Sequence, residues 1–115
     1  MEQEIPNTPL KVLFVCGRNK WRSPTAEHVF GDYPGVESLS AGINHDSETV
    51  ISSELVEWAD IIFVMEPSHK AKLSARFGSH LKNSRVVCLN IPDKFQAMDP
   101  TLVEIFRRRV KPHLC

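Results

Sequence analysis

Residues 10–24 read LKVLFVCGRNKWRSP, and this stretch gives the strongest indication of the fold. Its first seven residues form a short apolar run that is rich in valine and phenylalanine. The length and continuity of the run predict a strand buried on both faces, as in a parallel sheet. A polar loop follows, and Ser23 with Pro24 then has the pattern of a helix N-cap with proline at the first helical position. The stretch therefore predicts a strand, a loop and a helix.

The rest of the chain repeats this alternation of strand and helix. Apolar runs predict further strands at residues 36–43, 60–65 and 85–91. Capping residues and apolar spacing predict further helices, namely a short one capped by Ser52 or Ser53, one over 67–77 with Ala71, Leu73 and Phe77 facing inward, and one that begins at Asp99-Pro100. The pattern predicts an α/β domain whose four-stranded parallel sheet has helices on both faces. Ligands bind at the carboxyl ends of strands in such sheets, so the loop after the first strand is the predicted site.

The composition favours one globular domain without a nucleic-acid or membrane partner. The chain has 115 residues, of which 42% are hydrophobic and 24% are charged. Lys plus Arg and Asp plus Glu number 14 each, so net charge indicates no nucleic acid. The sequence shows neither a signal-peptide pattern nor an apolar run of membrane-spanning length. We expect an N-terminal arm over residues 1–9 and a domain over residues 10–115.

The cysteines and histidines argue against a structural metal or a disulfide framework. The chain has three cysteines, Cys16, Cys88 and Cys115. An odd number of cysteines this far apart in the sequence fits neither a disulfide framework nor a metal cluster. The five histidines show no metal-ligand spacing with one another. We therefore expect a cytoplasmic protein that uses no metal and no cofactor.

The loop from Cys16 to Ser23 carries the candidate chemistry. A loop between a strand and a helix N-terminus points backbone N–H groups inward and gains positive potential from the helix. Arg22 can give a phosphate two parallel hydrogen bonds, and the positive surroundings favour the nucleophilic thiolate of Cys16. The simpler alternative is a buried strand-end cysteine beside a solvated arginine. The strand before the loop and the helix start after it favour an anion cradle with a nucleophile at its base.

The sequence resembles the low-molecular-weight protein tyrosine phosphatases. The resemblance rests on residues 12–16 (VLFVC), Asn19, residues 22–24 (RSP), 26–27 (AE), 40–42 (SAG), 59–66 (ADIIFVME) and 91–93 (IPD). It implies the fold predicted above and hydrolysis of phosphate monoesters through a cysteinyl-phosphate intermediate. The implied substrate is a phosphorylated protein, above all phosphotyrosine, or a small aryl phosphate.

The same resemblance implies roles for the residues of the loop. Cys16 would be the nucleophile, and Arg22 would bind the equatorial oxygens of the phosphate. Ser23 would stabilise the leaving thiolate, and Asn19 would brace the loop by hydrogen bonds. The other loop residues would bind the substrate or form its rim: Gly17, Arg18, Lys20 and Trp21.

Three features of the chain depart from the family pattern. Arg18 stands where members usually have a glycine, and Trp21 stands where they usually have a second cysteine. Between Gly42 and Ala59 the chain is shorter by a helix-sized piece. These departures leave the cradle intact and predict a different pocket wall.

A proton donor for the leaving group is expected on the loop after the fourth strand. The segment from Ile91 to Phe95 resembles the acid loop of the family, so Asp93 is the preferred acid, with Phe95 stacking on a phenyl ring. Asp99 is the alternative acid. It is less favoured because an aspartate before a proline is also how a helix begins.

Two other functions are also compatible with the sequence. Arsenate reduction occurs among relatives of this fold and needs further cysteines, for which Cys88, expected in the core, and the terminal Cys115 are the candidates. The altered residues Arg18 and Trp21 are compatible with a regulatory module that binds phosphate without turning it over.

Overall fold

A computed structural model describes residues 9–81 and 83–114, and its centre is a parallel sheet. The four strands are β1 (Leu10–Cys16), β2 (Val36–Gly42), β3 (Ile61–Val64) and β4 (Arg85–Cys88). Their order is β2-β1-β3-β4, and every neighbouring pair is parallel. The predicted four-stranded parallel sheet is confirmed. The last strand is shorter than predicted, because the chain leaves the extended conformation at Asn90, whose φ is 55°.

The helices cover both faces of this sheet, as predicted. They are α1 (Arg22–Phe30), α2 (Ser53–Trp58), α3 (Pro67–Phe77) and α4 (Pro100–Val110), and single 3₁₀ turns follow α3 and α4. Residues of α1 and α4 pack on one face, and residues of α2 and α3 pack on the other. The predicted N-terminal arm lies outside the described residues except for Pro9, and Cys115 lies outside them as well.

Within residues 9–81 and 83–114, every helix is too short or too polar to cross a lipid bilayer.

The capping predictions were right for two helices and wrong for α1. Ser52 Oγ accepts from the Leu55 N–H at 3.2 Å, and Asp99 Oδ1 accepts from the Thr101 N–H at 2.8 Å. Helix α1 instead begins at Arg22, and no side chain caps it. Ser23 is therefore inside the helix, where its hydroxyl lies 2.9 Å from Cys16 Sγ.

The inward face of α3 also differs from the prediction. His69 and Leu73 are buried and Phe77 is half-buried, whereas Ala71 is exposed. These inward residues are spaced by four, as one face of a helix requires. The predicted face is right at Leu73 and Phe77 and wrong at Ala71, and the first buried position of this face is a histidine rather than an apolar residue.

The cores on the two faces of the sheet fix the position of β1. On the α1/α4 face, Phe14 stacks on Phe30 and Phe63 with ring centroids 5.8 and 5.4 Å apart. The α2/α3 face is aliphatic and takes Leu13 and Val15 from the same strand. Because β2 and β3 lie on opposite sides of β1, the chain changes winding direction there. This change opens a crevice at the carboxyl end of β1, where Cys16 lies.

Candidate functional site

The sulfur of Cys16 lies at the bottom of the loop that joins β1 to α1. The residue is 3% exposed. Its Sγ accepts from the Asn19 backbone N–H at 3.2 Å and lies 2.9 Å from Ser23 Oγ. Asn19 has a φ of 57°, and this left-handed conformation turns its N–H back toward the sulfur. The sulfur thus lies between a backbone N–H and a hydroxyl group.

Asn19 braces this loop from behind. Its Nδ2 donates to Ser23 Oγ at 3.0 Å and to Ser40 Oγ at 2.9 Å, and its Oδ1 accepts from the Thr49 N–H at 3.2 Å. Because Ser23 Oγ already accepts from Asn19, its own hydrogen is free to point at Cys16 Sγ. The alternative acceptor, the Ala41 carbonyl, is farther away at 3.4 Å.

Arg22 is the first residue of α1 and is 4% exposed. Its Nη1 donates to Glu66 Oε2 at 2.6 Å and to the Ile91 carbonyl at 2.8 Å. Its Nε lies 3.7 Å from Asp93 Oδ1. Two bonds on one nitrogen orient the guanidinium plane and leave the rest of the fork for an anion.

Residues 43–50, which lie in the segment between Gly42 and Ala59 that was predicted to be shortened, pack directly on this loop. The Ile43 N–H donates to the Cys16 carbonyl at 2.9 Å, and the Asn44 N–H donates to the Gly17 carbonyl at 2.8 Å. A Cβ at Gly42 would lie 2.0 Å from Ser47 Oγ, so this close approach requires glycine. The shortened segment therefore closes the wall beside the loop.

A cavity of about 370 Å³ opens above the sulfur. Most residues predicted for the site line it: Cys16, Gly17, Arg18, Lys20, Trp21, Arg22 and Asp93. Three lining residues were missed: Asn44, Glu66 and His69. Asn44 and Glu66 each follow a strand at the edge where the site was expected, so the position of the strand ends was the signal. His69 is one helical turn beyond Glu66.

Three predicted binding residues do not line the cavity. Asn19 and Ser23 lie behind the loop, in the positions described above. Phe95 is 9% exposed and packs in the core of the α1/α4 face, with Lys94 Nζ 5.5 Å from its ring centroid. Its predicted place beside a substrate ring is wrong, because the apolar core takes the ring.

The two candidate acids occupy different places. Asp93 lines the cavity, and its side chain is 59% exposed. Asp99 caps α4 and is absent from the cavity lining.

Cys88 is distant from this chemistry. It is half-buried on the edge strand β4 and packs against the α2/α3 core, whereas Cys16 belongs to the opposite core. The predicted core position is therefore only partly correct. Among the described residues no group of three or more His, Cys, Asp or Glu side chains is placed to hold a metal ion.

The rim of the cavity carries exposed basic and aromatic groups. Trp21 is 41% exposed, and Lys20 Nζ lies 5.2 Å from the centroid of its ring. Arg18 Nε lies 3.4 Å from Asp46 Oδ2, and both side chains are more than half exposed. Such an exposed pair contributes little stability.

His69 contributes a buried imidazole to the cavity wall. Burial lowers the pKa of His69 below its ordinary value of 6.5. Arg22 and Lys72 lower this pKa further, and Glu66 and Asp93 oppose them. Burial is the largest of these causes, so the ring is neutral at neutral pH.

Comparison with known proteins identifies the family. No family model matches the chain. The low molecular weight protein-tyrosine-phosphatase PtpB of Staphylococcus aureus is 34% identical over an alignment of 91 residues, and the match covers 60% of this chain and 66% of PtpB. The chain belongs to the low molecular weight protein-tyrosine-phosphatase family. It spans 66% of the length of this curated relative.

Solved structures share the fold. The tyrosine phosphatase Wzb from Escherichia coli K30, in complex with phosphate, superposes with a TM-score of 0.72 at 20% identity, covering 90% of this chain and 95% of Wzb. The YwlE arginine phosphatase from Geobacillus stearothermophilus superposes with a TM-score of 0.65 at 24% identity, covering 88% of this chain and 83% of YwlE. The predicted architecture is the architecture of these proteins.

Proposed function

We propose that the chain hydrolyses phosphate monoesters through a phosphocysteine on Cys16, with phosphotyrosine in proteins as the main substrate. One observation carries the proposal. The Cys16 sulfur receives the Asn19 N–H and faces the Ser23 hydroxyl at the base of a cavity that Arg22 also lines. A thiolate and a guanidinium in one concave site suit nucleophilic attack on a bound phosphate.

In the first step, the Cys16 sulfur attacks phosphorus and the bond to the leaving oxygen breaks. Asp93 gives its proton to that oxygen. Arg22 and the loop N–H groups hold the equatorial oxygens. Water then attacks the phosphocysteine, Asp93 takes the proton of the water, and the S–P bond breaks. The Ser23 hydroxyl donates to the thiolate that leaves.

The rim supports an aryl leaving group. Trp21 exposes 41% of its surface beside the cavity and can pack on a phenyl ring. Lys20 lies at the same rim, and its positive charge opposes a guanidinium leaving group. Phosphotyrosine is therefore favoured over phosphoarginine.

We also propose that residues 10–115 form the domain and that it works in the cytoplasm, where the thiol of Cys16 stays reduced.

Arsenate reduction is less favoured, because the structure separates the described cysteines. Cys88 lies on β4 and packs on the other face of the sheet from Cys16. A relay of arsenic between sulfurs needs them to meet, and β3 lies between their strands.

Phosphate release from para-nitrophenyl phosphate by the purified chain tests the proposal. We expect steady release by the wild type and none by Cys16→Ser. Binding of inorganic phosphate without any release by the wild type would favour the regulatory binding module instead.

A further inference from the structure

The depth of the cavity separates its lining residues into two groups. Cys16, Arg22 and His69 are each at most 5% exposed, whereas Lys20 and Trp21 at the rim are exposed. The proposed mechanism places the phosphoryl group at the buried level, against the sulfur and the guanidinium. His69 is at this level.

The two nitrogens of the His69 ring have different surroundings. Nδ1 is buried and has no hydrogen-bond partner among the described residues. A proton on Nδ1 would be a buried donor without an acceptor, and in the imidazolium it would carry charge as well. The surrounding charges do not reverse this preference. Lys72 lies on the same helix, Glu66 directly precedes that helix, Arg22 lies on α1, and Asp93 follows β4. The favoured form is therefore the neutral ring with its hydrogen on Nε2.

Nε2 faces the loop beside the nucleophile. A Cβ built on Gly17 would lie 3.7 Å from His69 Nε2 and 3.7 Å from Asn44 Nδ2. The residue directly after Cys16 is thus flanked by two uncharged nitrogen donors. The backbone of Asn44 is fixed to Gly17 by its N–H bond at 2.8 Å. Glycine has no side chain to cover the two donors.

We propose that His69 binds the substrate directly, its neutral Nε2–H donating, beside the Asn44 side-chain amide, to an oxygen of the phosphoryl group. This proposal rests on the proposed function, since it takes a phosphate monoester as the ligand. A neutral donor suits this position, because the cavity already holds the buried cation Arg22. It adds a hydrogen bond without the cost of burying a second charge.

Inhibition by inorganic phosphate tests the contact at the phosphoryl level. His69→Phe keeps a ring and removes the donor, and His69→Gln keeps an N–H donor. We expect His69→Phe to raise the KM for para-nitrophenyl phosphate and the Ki of inorganic phosphate by the same factor, about three- to tenfold. His69→Gln should recover part of the loss. His28→Gln, an exposed change on α1, is the matched control and should alter neither constant. An unchanged Ki for phosphate in His69→Phe would overturn the proposal.

Nitrogen NMR of the full chain gives a readout that does not need turnover. The ¹⁵N shifts of the His69 ring should report a protonated Nε2 and an unprotonated Nδ1 at neutral pH, and the Nε2 resonance should move as inorganic phosphate is added. A charged ring, a proton on Nδ1, or no response at saturating phosphate would contradict the proposal. If the wild type binds phosphate but releases none from esters, the proposed function fails while this titration still decides the role of His69.

Discussion

The two loops that face each other across the cavity are held in different ways. The phosphate loop, residues 16–22, is fixed along its length by bonds to residues 43–50, by Asn19 behind it and by its entry into α1. The acid loop, residues 92–99, is held by fewer contacts: the Phe95 ring packs in the core, and the Met98 N–H donates to Thr25 Oγ1 at 3.0 Å. One loop is organised before an anion arrives, and the other leaves its carboxylate largely in solvent.

This difference separates two kinds of catalytic effect. A fixed anion site stabilises the same phosphoryl charge for every ester, whatever the leaving group. A proton donor acts on the leaving oxygen, so its effect depends on the pKa of that oxygen. Changes in the phosphate loop should therefore affect all substrates alike, and changes in the acid loop should not.

The largest effect is expected from Cys16→Ser in the phosphate loop. Turnover should fall by a factor on the order of 10⁴ or more for every ester, because the nucleophile is lost. Binding of inorganic phosphate, measured by calorimetry, should persist through Arg22 and the loop N–H groups.

Cys88→Ala is the matched control for this change. It should leave kcat unchanged and lower the free energy of unfolding by about 1 kcal/mol, because Cys88 is half-buried at an edge. Near wild-type activity in Cys16→Ser, or loss of activity in Cys88→Ala, would contradict the assignment of Cys16 as the nucleophile.

Arg22→Lys should have the next largest effect. A lysine cannot keep the bonds to Glu66 and the Ile91 carbonyl and also present a fork to phosphate. We expect kcat/KM to fall about 10²- to 10³-fold, and by equal factors for activated and unactivated aryl phosphates. Arg109→Lys, a change at an arginine that binds the Leu89 and Asn90 carbonyls, is the control and should affect hydrolysis little. If the loss of kcat/KM in Arg22→Lys varied with the leaving group, the two loops would not differ in the way proposed.

Asp93→Asn tests the acid loop itself. Hydrolysis of phosphotyrosine should slow by about 10²- to 10³-fold, whereas an ester of a low-pKa phenol should lose much less. Asp99→Asn is the comparison, since asparagine caps a helix as well as aspartate does. It should affect both esters slightly and equally. The reverse pattern would make Asp99 the acid.

The smallest effect concerns stability and its pH dependence at His69. Because the pKa of His69 is lowered in the folded chain, the unfolded chain binds more protons as pH falls below about 6.5. Stability is therefore retained above that pH and decreases below it, by at most about 1.4 kcal/mol per pH unit from this group. Urea unfolding should show a weaker pH dependence in His69→Gln than in the wild type. Identical slopes between about pH 5.5 and about pH 7.5 would show that the pKa of His69 is the same in the folded and unfolded chains, which would contradict the lowered pKa.

The sequence predicted most of the fold because its strands are continuous apolar runs. It also predicted the residues of the phosphate loop, since they are adjacent in the chain. His69 reaches the cavity from α3, so only the tertiary structure brings it to Arg22. His69 was missed because the prediction of the inward face of α3 used apolar residues alone. Phe95 was misplaced because an aromatic residue near a site satisfies a core position equally well.

The central claim is that Cys16 becomes phosphorylated during turnover. Mass spectrometry of Asp93→Asn, quenched in acid after mixing with para-nitrophenyl phosphate, tests it most directly, because this variant still forms the intermediate from a good leaving group but lacks the base that activates water. We predict one added phosphoryl group on the peptide that contains Cys16, and none when Cys16→Ala is combined with the same change. Release of para-nitrophenol without any adduct on that peptide, in a single turnover, would contradict the mechanism.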